Sequence, residues 1–154
     1  MSGYYVDTSA LVKRYVDEVG SDWLRALTAP DQNALLFISR MTIVEVISAF
    51  ARRLRDGSLT REEFAAAKDA FRGDCLDAYQ VMPPTLTIVN LACDLLERHP
   101  LRAYDATHLA TALGAEQFLS SQSHLSLTFL SADDRLNQAA AAEGLAVDNP
   151  NQYL

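Results

Sequence analysis

The chain has 154 residues, 49% of them apolar, and carries a formal net charge of −7. That length and apolar content suit a single folded domain over residues 1–154 and exclude a disordered segment. No apolar run reaches the ~18 residues of a membrane span, and the acidity excludes a nucleic-acid binder that works through a broad positive surface.

The first element is the apolar run "YYVD", read as a strand that ends on Asp7. "TSALVKRYVDE" places Leu11, Val12 and Tyr15 at helical spacing and is expected to run on to a stop at Gly20. "SDWLRALTA" is a second short helix, "ALLFIS" a buried strand, and "TIVEVISAFARRLRDG" a helix closed by Gly57. "TREEFAAAKDAFRGDCLDAY" opens with Thr60-x-x-Glu63, the pattern of a capping box. "YQVM" is a strand stopped by Pro83 and Pro84, and "TLTIVNLACDLLERH" a helix stopped by Pro100. "YDATHLATALGAEQF" is an alanine-rich helix, "LTFLSA" a strand, "DDRLNQAAAAEG" a helix and "LAVDN" the last strand. Strands alternating with helices imply a parallel sheet covered on both faces. Right-handed crossovers then gather the strand C-termini and the following helix N-termini along one edge, where such folds bind ligands.

Four acids are expected at that edge. Asp7 and Asp133 end strands; Glu45 and Asp105 lie in the first turns of the helices after "LLFIS" and "LRA". Each alone is explained by capping or by the helix dipole, including Thr42-x-x-Glu45 as a second capping box. Together they need more, because convergent carboxylates repel. At about 5 Å and an effective dielectric of about 20, each pair costs roughly 3 kcal/mol. Such groups take up protons or hold a cation. An all-oxygen set suits Mg²⁺ or Mn²⁺, whereas His99, His108 and His124 have no zinc-ligand spacing. A divalent ion at an open rim can activate water and neutralise a phosphodiester without a nucleophilic Ser or Cys.

These stretches resemble a known family. "YYVDTSALVKRYVDE", "TIVEVISAF", "LRAYDATHLATAL" and "LTFLSADDRLNQAAAAEGLAVDNP" look like the signature blocks of PIN-domain ribonucleases, nearest the VapC-type toxins of toxin–antitoxin pairs. The segment from about Ala51 to Thr85 carries no signature. The resemblance implies a three-layer α/β/α fold with a five-stranded parallel sheet and Mg²⁺- or Mn²⁺-dependent cleavage of RNA. It implies Asp7, Asp105 and Asp133 as direct metal ligands, with Glu45 positioning a water or a second ion. It also implies a homodimer and a cognate VapB-type antitoxin that inhibits through a basic tail, for which an acidic toxin surface is complementary. Asp134 stands where the family usually has a basic or polar residue, and either joins the site or caps the helix.

Other residues have two readings. Ser9 and Ser131 orient carboxylates or make ordinary turn bonds. His108 is a general base or, more commonly for such a residue, a structural hydrogen-bonding group. Arg102 binds substrate phosphate or pairs with an acid. Arg52, Arg53 and Arg55 track an RNA backbone or form a solvated helix end. Tyr4, Tyr5 and Trp23 stack on bases or pack in a core. Cys75 and Cys93 lack metal or disulfide spacing and read as thiols; with no secretory leader in view, a cytoplasmic protein is expected. The rival readings are a PIN-type nuclease of RNA processing or DNA repair without an antitoxin, a catalytically silent binding domain on the same fold, and a phospho-receiver module. The last lacks the lysine it needs at the end of the final strand.

Overall fold

The computed structural model describes residues 1–154. Five short strands form one parallel sheet in the order β3-β2-β1-β4-β5. They are β1 (Gly3–Val6), β2 (Leu35–Ser39), β3 (Tyr79–Met82), β4 (Leu127–Leu130) and β5 (Ala146–Asp148). Between them run α1 (Thr8–Tyr15), α2 (Ser21–Leu27), α3 (Arg40–Asp56), α4 (Arg61–Asp77), α5 (Leu86–Arg98), α6 (Ala103–Gln122) and α7 (Asp134–Ala142). The expected three-layer architecture is present.

Alternation along the strands builds the layers, since successive side chains face opposite sides. Tyr5, Phe37, Leu127 and Phe129 face one core with Leu95, Leu109 and Leu136 from α5, α6 and α7. Val6, Leu36, Ile38 and Leu130 face the other with Leu11, Leu24, Phe50 and Phe71 from α1 to α4. β1 lies at the centre, pairing β2 on one side and β4 on the other. The chain therefore changes winding direction between β1 and β4, which makes that gap the switch point of the sheet.

The capping box of Thr60 and Glu63 is formed, and Gly57 closes α3 in the left-handed region at φ 83°. α1 differs from expectation. It stops at Tyr15, because the Ser21 hydroxyl donates to the Val16 carbonyl and accepts from the Glu18 amide, closing the turn early. Gly20 instead starts α2 at φ 85°, where a Cβ would lie 2.1 Å from the Pro150 carbonyl oxygen.

Candidate active site

Four segments deliver the four acids to the C-terminal edge. Asp7 follows β1, Asp133 sits in the turn from β4 to α7, and Glu45 and Asp105 project from α3 and α6. All four line one open cleft of about 420 Å³, with Thr8, Ser9, Lys13, Glu18, Arg52, Arg53 and His108 among the other walls. Glu45, Asp105 and Asp133 also border an adjoining hollow of about 580 Å³, on which Arg102, Asp134 and Arg135 open.

Asp7 is buried, at 4% exposure, and heavily bonded. Its Oδ1 accepts from the Ser9 hydroxyl at 2.7 Å and the Ala10 amide at 3.0 Å, and its Oδ2 from the Ser131 hydroxyl at 2.7 Å. Both serines thus serve Asp7. Ser131 Oγ also accepts the Asp133 amide at 3.0 Å, which ties the β4–α7 turn to β1. Burial lifts the Asp7 pKa, more than the His108 charge and these hydrogen bonds lower it.

Capping and clustering occur together. Asp7 caps α1, and Asp133 caps α7 by accepting from the Arg135 and Leu136 amides on Oδ1 alone. Asp134 is not the cap: its Oδ1 accepts from Asn149 at 2.8 Å. Asp105 is the third residue of α6 and caps nothing, since Arg102 holds the N-cap position without a side-chain bond. Its carboxylate is half-buried, and burial, then the Asp133 charge, raises its pKa, with Glu45 adding to the effect.

Glu45 corrects the sequence reading. Ser39 caps α3, so the helix starts at Arg40 and Glu45 lies in its second turn, not its first. The second capping box therefore does not form, and Thr42 is wholly buried. Glu45 is held instead by His108, whose Nε2 donates to Glu45 Oε1 at 2.7 Å. A carboxylate only accepts, so the proton sits on Nε2. When the ring is neutral its Nδ1 accepts from the Tyr5 hydroxyl at 2.7 Å, and when it is protonated Nδ1 donates to that oxygen. Burial pulls the His108 pKa down, but the bond to Glu45 and the charges of Glu45, Asp7 and Asp105 carry it above its ordinary value.

Of the two readings of Tyr5, core packing is the one the structure bears out. Tyr5 is fully buried, stacked on Phe129 at 5.5 Å, and cannot reach a base. Its signal was its position two residues before Asp7 in an extended strand, which puts both on one face. Trp23 is likewise spent, stacked on Tyr153 at 4.0 Å.

Three of the four acids lack a protein counterion. None of the chain's ion pairs includes Asp7, Asp105 or Asp133. Asp105, Glu45 Oε2 and Asp133 Oδ2 accept no hydrogen bond from the protein. As the side chains stand, no three acids or imidazoles are drawn close enough to enclose an ion. The donors are all oxygen, several are uncommitted, and Asp7, Asp105 and Asp133 enter no ion pair, so the chemistry of the set fits a hard divalent ion.

The model of the PIN domain matches residues 4–142 of the chain. The chain belongs to the PIN-domain family. Two relatives, Ribonuclease VapC45 and Ribonuclease VapC49 of Mycobacterium tuberculosis, are each 38% identical over 109 residues, which cover 71% of this chain and 74% of each relative. Among solved structures, FitAcB from Neisseria gonorrhoeae superposes with a TM-score of 0.59 at 17% identity, over 96% of this chain and 97% of that one. VapBC2 from Rickettsia felis, solved bound to a DNA fragment from its promoter, gives 0.62 at 12% identity, over 96% and 98%. These two likenesses carry the fold, and it is the fold described above.

Proposed function

We propose that this PIN domain is a metal-dependent endoribonuclease of the VapC toxin type, neutralised by a VapB-type antitoxin. The observation that carries the reading is the cleft itself. Four carboxylates from distant parts of the sequence line it at the switch point of the sheet, and three of them have no cationic partner. The ribonuclease relatives support the same reaction class.

Asp7, Asp105 and Asp133, with Glu45, would hold Mg²⁺ or Mn²⁺. When bound, the ion supplies neutralisation of the phosphodiester charge and activation of water for attack on phosphorus. The protein's part is to fix the oxygens. Ser9 and Ser131 clamp the two oxygens of Asp7, so only its remaining lone pairs face the cleft. The chain Tyr5–His108–Glu45 holds Oε1 and leaves Oε2 free to orient water. Asp133 spends one oxygen on its cap and keeps the other. The hollow beside Arg102 gives the strand a path past the acids. A basic segment of an antitoxin would satisfy the same carboxylates and block the cleft. The reading extends to a cytoplasmic homodimer, which light scattering coupled to size exclusion tests.

The deciding experiment incubates the purified chain with a total RNA pool in Mg²⁺, Mn²⁺ or EDTA, beside Asp105→Asn. Cleavage is expected with the divalent ions, and neither in EDTA nor in the variant. Cleavage that persists in either condition ends the proposal.

A further inference from the structure

The cleft has a second end that the acids do not use. Lys13 from α1 and Arg52 and Arg53 from α3 line it, with Glu18 from the α1–α2 connection. Lys13 is buried at 5% exposure, with Nζ donating to Glu18 Oε2 at 3.3 Å. Arg53 donates to the other Glu18 oxygen and to the Ala49 carbonyl. One carboxylate therefore holds two cations in place. Arg52 is exposed and enters no ion pair, so three positive charges meet one negative charge. None of the three pairs with an acid at the other end, so they are not its counterions. A chain with 13 cationic residues against 20 acidic ones has placed three of them in the cleft that holds its acids.

We infer that this end is a subsite for a second phosphodiester of the RNA strand, bound by Arg52, Arg53 and Lys13 and lying beside the bond at the acids; the inference rests on the ribonuclease reading. Glu45, Ala49, Arg52 and Arg53 share one face of α3. Seven residues of helix between Glu45 and Arg52 span about 10 Å. A group at Arg52 is therefore a neighbour of the one at the carboxylates. The acid end repels a polyanion until a cation arrives, whereas the basic end attracts it at all times, and arginine offers a two-pronged fit to phosphate.

The test is fluorescence anisotropy of a labelled single-stranded RNA oligonucleotide in EDTA, using full-length protein carrying Asp7→Asn to suppress cleavage. Arg52→Gln is compared with Arg55→Gln, which lies on the same helix end but outside the cleft. Arg52→Gln should weaken binding roughly fivefold at low salt and flatten the log–log salt slope by about 0.7, with Arg55→Gln changing neither. An unchanged slope for Arg52→Gln, an equal loss for Arg55→Gln, or no RNA binding at all overturns the subsite. With Asp7 restored and Mn²⁺ present, Arg52→Gln should raise KM and spare kcat; the reverse pattern also overturns it. A flattened slope in a protein that never cleaves RNA would remove the nuclease reading and leave the subsite. Cleavage with an unchanged slope would remove the subsite alone.

Discussion

Tyr5→Phe deletes one oxygen from the most enclosed part of the site. The hydroxyl stands 2.7 Å from His108 Nδ1, Tyr5 has no exposed surface and His108 keeps 3%. The phenylalanine ring retains the stack on Phe129, so the loss is confined to the hydrogen bond. Thr42 lies beside the hydroxyl without reaching hydrogen-bond geometry, and it supplies no substitute for His108. A buried nitrogen without a partner costs about 1–3 kcal/mol. In a domain of this size each kcal/mol moves Tm by about 2–4 °C, so a drop of roughly 4–8 °C is expected at the middle of that range. Circular dichroism in EDTA measures it. A double-mutant cycle with Glu45→Gln should give a coupling of about 0.5–3 kcal/mol, because His108 joins the two groups. Metal-dependent cleavage should fall by about tenfold, as Glu45 loses its orientation. An unchanged or higher Tm, or strict additivity with Glu45→Gln, would refute the relay.

Asp105→Asn removes a charge that the fold tolerates poorly, so it should raise Tm in EDTA. It should also blunt the rise produced by Mg²⁺, which for an intact site at about a hundred times Kd is about 2.7 kcal/mol; an equal rise in both proteins would place the ion elsewhere. Ser131→Ala strips a buried hydroxyl from Asp7 and from the Asp133 amide. It should cost about 1–3 kcal/mol in urea unfolding and more than Ser9→Ala, with the opposite order counting against the clamp. Asp7, Asp105 and His108 have raised pKa values and so bind protons more tightly when folded. Their contributions are full below the ordinary values of 3.8 and 6.5 and are lost as pH rises through the raised ones. Asp56, Glu63 and Glu143 are lowered and act in the opposite sense, but their contributions are complete by about pH 5. Tm in EDTA should therefore fall between about pH 5 and pH 8, and a rise would contradict the assignment.

Much of the fold was legible because its signals are local. Apolar runs bounded by Gly, Pro and capping residues marked all five strands, and the Thr60 box and Gly57 stop formed where the pattern put them. The end of α1 was not legible, because it depends on Ser21 reaching back to Val16 across a turn. The start of α3 was misread because Ser39 and Thr42 are both plausible caps by composition. Hydrogen bonding decides between them: both are buried, but the Ser39 hydroxyl accepts the Met41 amide while the Thr42 hydroxyl finds no partner. Arg52 and Arg53 look like any charged helix end until α1 and the connection after it bring Lys13 and Glu18 alongside.

The sequence by itself determined the order of strands and helices and the acids that follow them, because hydrophobic period and capping chemistry act over a few residues. Only the tertiary structure decided what those acids share. Segments 38, 60 and 28 residues apart along the chain meet at the switch point because β1 pairs with both β2 and β4. Asp7 draws its hydroxyl partner Ser131 from 124 residues away, and Glu45 draws His108 from 63. Side-chain contacts of that range are set by how the layers pack, and no local pattern of residues encodes them.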